Sequence, residues 1–331
     1  MNELQIGLVA DPASPTQMAH RIKDLDPPRG EDGSWDVEVV SEPFTTGSED
    51  VDTALARLGD QAAEHEWDLV VGLTELPLRD DDGHYLLIEA DPQQRRAVLS
   101  LPALGGVRME ARTRRAVRSL VAGMADPTST EEQRVPLSRV GGRRRLLLGM
   151  VLANRPWLLV PGLKSALVAA LATGAVATIN STVWLLAGSL SWWRLTVATI
   201  VSIALVVGWL VIDGELWDRP DDDSSEARER SRLYNISTLV TLTSGVLICY
   251  LALYVVNLLW ALFVLDPSVM GGYLQMSLGY GDLFVLAWFV ASAATVGGGL
   301  GSGLESDDAI RAATYSKREE ERRNRLARRR T

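Results

Sequence analysis

Four long stretches of the chain contain almost no charged residues. They cover residues 163–189, 193–212, 236–265 and 283–304. Each reaches the length of about 20 apolar residues that a helix needs to cross the hydrocarbon core of a bilayer. The pattern therefore predicts an all-α transmembrane domain of four helices over residues 157–305.

The averaged composition conceals this segregation. With 47% hydrophobic and 23% charged residues, the totals look like those of a soluble enzyme. Nearly all of the charge, however, lies before Arg155, between Asp213 and Arg232, or after Glu305. A soluble fold does not divide its charge in this way, so the totals do not decide the class of protein.

The arginines predict how the helices are threaded through the membrane. They are concentrated before the first stretch, between the second and third, and after the fourth, whereas the two other connecting loops contain only Arg194. Basic residues accumulate on the cytoplasmic side of membrane proteins. We therefore expect both termini to be cytoplasmic. The scarcity of lysine among the 33 basic residues is typical of a GC-rich bacterial genome, which indicates a bacterial inner membrane.

Two arginine-rich segments are predicted to bind anionic lipid headgroups. Residues 143–156 combine a basic start, an apolar middle and a proline, which favours an elbow helix along the cytoplasmic interface. Residues 306–331 form a second basic, cytosolic tail. Nucleic acid is not an expected partner, because Tyr315 is the only aromatic residue of the tail.

Small residues recur every fourth position in the first and last stretches, and such stripes let helices approach closely in lipid. We predict tight helix packing, within the chain, with a second copy or with another membrane protein, through these residues: Gly162, Ala166, Ala170 and Gly174, then Ala291, Thr295, Gly299 and Gly303. Asn180 and Asn257 are the polar exceptions within the stretches. They are expected to form hydrogen bonds between helices.

The stretches contain no ionisable residue at mid-bilayer depth. Proton-coupled carriers and pumps usually need one, so the chain is a poor transporter candidate. The outer loop does contain a sequence similar to a potassium-channel filter, Ser277, Leu278, Gly279, Tyr280, Gly281 and Asp282. Pro267, Gly271 and Gly272 are expected to interrupt the pore helix that a channel would need, which favours an ordinary loop.

The alternation of strand and helix patterns in residues 1–125 predicts a cytosolic α/β domain with a mostly parallel sheet. Apolar runs at residues 4–10, 35–40 and 69–73 alternate with helical patterns at 15–25 and 49–66. A hairpin of strands at 85–89 and 97–101 follows, then a helix at 109–124. Residues 126–142 are predicted to be a polar linker to the membrane.

This domain has no recognisable catalytic, cofactor or metal site in its sequence. Gly7 belongs to no phosphate-binding motif, and His20, His65 and His84 lack the spacing of metal ligands. The acidic turn at residues 80–83 lacks the pattern of a calcium loop. The hydroxyls of Thr74, Ser100 and Ser119 lie near strand ends or on the last helix without a nucleophile motif, and the only cysteine, Cys249, is in an apolar stretch.

Residues 67–124 resemble archaemetzincin-type zinc peptidases. The resemblance is carried by Gly72-Leu73-Thr74, Leu87-Ile88-Glu89-Ala90 and Val98-Leu99-Ser100-Leu101, followed by the helix at 112–124. In that family the helix carries the zinc ligands of a His-Glu-x-x-His motif. The aligned residues here are Arg118, Ser119, Leu120, Val121 and Ala122, so the resemblance implies a zincin-like scaffold without zinc.

The chain as a whole resembles uncharacterised four-span membrane proteins of high-GC Gram-positive bacteria. The leading hypothesis is a non-enzymatic binding, scaffold or regulatory protein, whose cytosolic domain binds a ligand or partner. One alternative is a small channel or permease subunit with residues 266–282 at its outer mouth. A second is a membrane-tethered peptidase-like enzyme.

Overall fold

The computed structural model describes residues 3–27, 34–45, 51–80, 84–106, 108–126, 133–138, 141–154, 156–220, 225–275 and 277–301. They form two compact units. Of these described residues, the first unit holds those up to Ala153 together with 225–229, and the second holds those in 154–220 and 230–301. The predicted fold class is confirmed: an α/β domain with a mostly parallel mixed sheet precedes a set of apolar helices.

The first unit is built on a sheet of seven strands in the order β2-β1-β3-β6-β5-β4, with β7 also paired to β5. Its strands are β1 (Glu3–Ala10), β2 (Ser34–Ser41), β3 (Leu69–Thr74), β4 (Leu78–Arg79), β5 (Tyr85–Asp91), β6 (Arg96–Ser100) and β7 (Gln133–Pro136). Strands β2, β1, β3 and β6 are mutually parallel, whereas β5 is antiparallel to its neighbours β4, β6 and β7.

Helices cover both faces of this sheet. They are α1 (Ser14–Ile22), α2 (Val51–His65) and α3 (Met109–Ala125), and a fourth helix, α4 (Gly141–Ala153), follows β7 in the chain. Apolar side chains of α1 and α3 share one core with the sheet, and those of α2 share the other. All six residues of β3 are buried, as expected for a central strand covered on both sides.

The predicted linker is part of the sheet rather than a free connection. Gln133–Pro136 form β7, although all four residues are exposed. The guanidinium of Arg134 binds both carboxylate oxygens of the buried Glu89 on β5, over 3.0 and 2.8 Å. This hydrogen bonding raises the pKa of Arg134 above its usual value. The α/β domain therefore extends beyond the predicted boundary at residue 125.

The predicted elbow also belongs to this unit. Its helix, α4, buries Leu146, Gly149 and Met150. A Cβ atom on Gly149 would lie 2.1 Å from the carbonyl oxygen of Pro102, so α4 rests on the 3-10 turn Pro102–Leu104 that follows β6. Part of the apolar side of this helix therefore packs on the α/β unit, whereas Leu148 is exposed, and the position of the helix along the cytoplasmic interface stays a prediction.

The second unit contains helices α5 (Leu159–Gly162), α6 (Lys164–Thr178), α7 (Ser181–Ser189), α8 (Trp192–Asp213), α9 (Ser225–Val264), α10 (Pro267–Leu274) and α11 (Tyr280–Gly301). Within the described residues, three helices are long and apolar enough to cross a membrane: Trp192–Asp213, Ala227–Val264 and Tyr280–Gly298. A fourth crossing results if Gly141–Gly162 and Lys164–Thr178, which are bent by 55°, count as one broken span.

Two of the predicted spans differ in detail from the helices observed. The first is not continuous over residues 163–189, because α6 ends at Thr178 and α7 begins at Ser181. The third begins earlier than residue 236, since α9 is a 40-residue helix that includes the basic segment before it. The predicted tail at 306–331 lies outside the described residues.

Candidate functional site

The strongest candidate site of the α/β unit is the carboxyl edge of β1 and β3. Strand β1 leads through α1 to β2 on one side, and the chain then returns through α2 to β3 on the other side. The connections therefore diverge between β1 and β3. Open α/β sheets take their ligands at such a switch point, outside the carboxyl ends of the strands.

Asp11 occupies this point, directly after β1, and is completely buried. Its carboxylate accepts a hydrogen bond of 2.6 Å from Thr74 Oγ1 at the end of β3. Thr45, which follows β2, donates from its Oγ1 over 3.3 Å to Oδ2 of the same carboxylate. One carboxylate thus joins the ends of three adjacent strands.

The polar side chains around Asp11 are also buried, so this edge of the sheet is shielded from solvent. Thr45, Thr74 and Ser100 are fully buried, and Glu75 is 5% exposed. Ser100 Oγ donates to the carbonyl oxygen of Leu76 over 2.8 Å, so this hydroxyl joins the end of β6 to the main chain that follows β3. Sequence reasoning singled out Thr74 and Ser100 as strand-end hydroxyls. It missed Asp11, whose position after the first strand was the available signal.

The helix that would carry zinc in a zincin does not present ligands. Leu120 and Val121 of α3 are buried in the sheet core, while Ser119 is exposed. No group of three or more His, Cys, Asp or Glu residues that could hold a metal ion occurs among the described residues. His65 instead stacks on Trp67, with ring centroids 4.5 Å apart, and His84 lies 3.5 Å from Asp80. Residues 81–83 of the acidic turn lie outside the described chain.

A second polar cluster lies inside the helical unit, where three hydroxyls from three helices meet. Tyr250 Oη of α9 lies 3.1 Å from Thr199 Oγ1 of α8 and 3.0 Å from Ser292 Oγ of α11. Thr199 and Ser292 are 3.2 Å apart. The indole of Trp288 donates to Thr199 Oγ1 over 2.7 Å, and Ser202 Oγ to the carbonyl oxygen of Ser292 over 2.8 Å.

We call Thr199, Tyr250 and Ser292 the hydroxyl triad. Every member has partners on other helices, so the triad pins α8, α9 and α11 together in the way that polar groups join membrane helices. The sequence did not reveal it, because hydroxyl residues are ordinary in apolar helices and these three are distant in the chain.

Neither asparagine forms, among the hydrogen bonds of the described residues, the interhelical bond expected of it. Asn180 is exposed and caps α7, with its Oδ1 accepting from Thr182 N over 2.9 Å, so its described side-chain hydrogen bond is local and not interhelical. Asn257 is 2% exposed and donates to the carbonyl oxygen of Leu253 in its own helix over 2.9 Å. It nevertheless packs against another helix: a Cβ atom on Gly174 would lie 2.2 Å from its Oδ1.

The stripe of small residues is used within the chain. On α6, Ala166, Ala170 and Gly174 are buried. Their counterpart on α11 is Gly298, where a Cβ atom would lie 2.5 Å from Ala170 Cβ and 2.6 Å from the carbonyl oxygen of Ala166.

The predicted register on α11 is offset. Ala291 is fully buried and Ala294 is 1% exposed, whereas Thr295 is half-buried and binds the carbonyl oxygen of Ala291 in its own helix. Gly299 falls within α11, and Gly303 lies outside the described residues. Gly162 is the last residue of the short helix α5.

The loop resembling a channel filter has a different structure. Tyr280, Gly281 and Asp282 form the first turn of α11, and the Asp282 carboxylate accepts from Gly279 N over 2.8 Å. Ser277 and Gly279 precede this helix. A filter needs an extended strand of carbonyl groups, so the geometry does not provide one here. The expectation that Pro267, Gly271 and Gly272 prevent a helix is wrong, because α10 begins at Pro267, where proline is tolerated.

Comparison with known proteins gives no family assignment: no protein-family model, no curated protein and no solved structure matches the chain.

Proposed function

We propose that the chain is a non-enzymatic scaffold or regulatory protein of the bacterial cell membrane, in which apolar helices anchor an α/β domain that binds a protein partner in the cytosol. The observation that carries this proposal is the closed carboxyl edge of β1 and β3. Asp11 and its two threonine donors fill the position that an enzyme of this sheet type would use for its substrate. A partner would bind instead to the outer surface of the domain.

The proposed topology has four crossings and two cytoplasmic termini. Helices α6 and α7 together cover 164–189, which is about 36 Å of helix and enough for a bilayer core of about 30 Å despite the break between them. The arginine distribution supports the same threading. Reporter fusions at residues 1 and 331 test it, because three crossings would place the two termini on opposite sides.

The helical unit supports an anchoring function rather than transport. The hydroxyl triad and the packing of α6 on α11 join the helices to each other. The segments that would lie in the membrane contain no charged side chain at mid-depth. Because the small residues of α6 and α11 are used inside one chain, the partner surface is assigned to the α/β domain rather than to these stripes.

Site-directed photo-crosslinking in native membranes tests the partner proposal. A crosslinking amino acid is placed at exposed positions of the α/β domain, such as Asp36 and Ser119, and at matched exposed positions of the helices, such as Val168 and Val201. We expect a discrete protein adduct at some α/β positions and none at the helical ones. A chain that yields no protein adduct anywhere, sediments as a monomer or carries stoichiometric zinc contradicts the proposal.

A further inference from the structure

Two arginines of the first unit converge on one backbone carbonyl group. Arg112 Nη1, from the first turns of α3, donates to the carbonyl oxygen of Leu104 over 2.7 Å. Arg145 Nε, from the start of α4, donates to the same oxygen over 2.9 Å. The two donor nitrogens therefore lie within about 6 Å of each other, a distance at which like charges repel appreciably.

Neither arginine has an acidic partner among the residues that the structure describes. Their neighbour Arg143, by contrast, forms an ion pair with Glu229. Burial and the nearby Arg112 lower the pKa of Arg145 below its usual value. The two positive charges share a neutral acceptor, so their mutual repulsion is not offset. An anion bound between them would offset it.

A glycine next to Leu104 leaves room for both arginine side chains. Gly105 follows Leu104 with a φ of 81°, which only glycine adopts readily. A Cβ atom there would lie 2.9 Å from Arg145 Cγ and 3.4 Å from Arg112 Nη1. The amino end of the 17-residue helix α3 begins a few residues later and adds positive potential.

We infer that Arg112 and Arg145 form a binding site for a phosphate group, and that this group is the headgroup phosphate of an anionic phospholipid. Each guanidinium uses one N–H on Leu104 and keeps further donors for a ligand, and both residues remain accessible to solvent although their contacts with Leu104 are partly buried. Two planar forks that converge from different helices suit the several oxygens of one phosphate better than a single carboxylate.

The position in the chain identifies the source of the phosphate. Arg145 lies eight residues before the end of α4 at Ala153, about 12 Å along the helix, and α5 of the apolar unit follows at Leu159. Leu148, one turn along α4, is 59% exposed, which is typical of a helix at a lipid interface. The lipid assignment rests on the membrane location proposed above, whereas the phosphate chemistry does not.

Binding of short-chain phosphatidylglycerol to the full-length chain in nonionic detergent tests the inference. Native mass spectrometry gives the affinity, and the thermal unfolding midpoint gives the stabilisation. The informative variant is R112Q/R145Q. Its matched control is R115Q/R144Q, which removes the same charge from exposed arginines on the same two helices, neither of which binds Leu104. We expect at least a tenfold loss of affinity in the first and less than a threefold loss in the second.

The single variant R112Q distinguishes a loss of lipid binding from a loss of folding. Because it relieves the repulsion, we expect its unfolding midpoint without lipid to match or exceed that of the wild type, while the stabilisation by phosphatidylglycerol is lost. Equal losses in the two double variants, or no loss in either, would overturn the inference. If inorganic phosphate binds this pair as tightly as the lipid does, the phosphate site stands and the lipid assignment is wrong.

Cell fractionation separates this inference from the proposed function. A chain recovered without membranes that still binds phosphatidylglycerol through Arg112 and Arg145 would refute the proposed location but not the phosphate site. A membrane-embedded chain that binds phosphatidylcholine and phosphatidylglycerol equally would refute the assignment to an anionic phospholipid and leave the proposed function standing, because both headgroups contain a phosphate.

Discussion

Thr74 Oγ1 donates a hydrogen bond of 2.6 Å to Asp11 Oδ2, and both residues are completely inaccessible to solvent. This bond joins the ends of β1 and β3 at the point where the chain connections of the sheet diverge. Its loss leaves a buried carboxylate with one donor fewer, which is costly because the carboxylate cannot turn to water instead.

Replacing Thr74 by Val keeps the shape of the side chain and removes this donor, together with the oxygen that accepts from Leu76 N over 3.0 Å. We expect the free energy of unfolding of the α/β domain to fall by about 1–3 kcal/mol. Hydrogen exchange of amides in β1 and β3, measured on the full chain in increasing urea, gives this value. Thr74→Ser should restore most of the loss, and Ser119→Ala, at an exposed hydroxyl, should change stability by less than about 0.5 kcal/mol. Equal effects of Thr74→Val and Ser119→Ala would mean that the bond contributes nothing.

Gly7 of β1 lies under the indole of Trp67. A Cβ atom at this glycine would lie 2.0 Å from Trp67 Cε3, and the same indole donates to Glu38 Oε2 over 2.7 Å. Gly7→Ala must displace the ring and should destabilise the domain by about 1–3 kcal/mol, as overpacked cores do. Thermal unfolding measures the loss.

Gly59 provides the matched control for this substitution. It lies in the middle of α2, where a Cβ atom would have Arg96 Nη1 as its nearest neighbour, at 3.2 Å, and this nitrogen also donates to the carbonyl oxygen of Leu55 over 3.1 Å. Gly59→Ala should be neutral or stabilising by up to about 1 kcal/mol, because alanine favours helices. A larger loss for Gly59→Ala than for Gly7→Ala would contradict this account of the Trp67 site.

The hydroxyl triad predicts different effects for two tyrosines on one helix. Tyr250→Phe removes hydrogen bonds to Thr199 and Ser292 and should cost about 0.5–2 kcal/mol. Tyr254→Phe, one turn along α9, removes a hydroxyl that has no described hydrogen bond and should cost less. Unfolding in mixed detergent micelles compares the two. Identical unfolding curves would show that the triad does not stabilise the helices.

The contact of α6 with α11 depends on the missing side chain of Gly298. Gly298→Ala would place a Cβ atom 2.6 Å from the backbone carbonyl oxygen of Ala166, so the helices must separate. We expect a loss of about 1–3 kcal/mol in the same micelle assay. Gly208→Ala on α8 has open space within 4 Å and should be neutral. Equal stability of the two variants would exclude close packing at Gly298.

The sequence predicted the main strands and helices of the α/β domain because their periodicity is local. Strands β4 and β7 escaped it, since they have only two and four residues. Both strands form their hydrogen bonds with β5, and neither short segment has a periodicity that indicates this pairing. The contact of the buried Glu89 with the exposed Arg134 joins residues that are 45 positions apart.

The membrane segments were predictable in composition but not in contacts. Length and apolarity located the long helices, whereas the break at Asn180 depends on a capping bond to Thr182. The arginine pair was equally hidden. Arg145 was interpreted as part of a lipid-facing elbow, and only the packing of α4 on the turn after β6 brings it to Arg112.

Strand β7 determines how the cytosolic domain can be produced as a separate protein. A fragment that ends at residue 125 would leave β5 between Ile88 and Ala90 paired with β6 alone, and Glu89 buried without Arg134. Exposed strand edges of this kind pair with other molecules. Soluble expression should therefore fail by aggregation for the shorter fragment and improve for one that continues through Ala153.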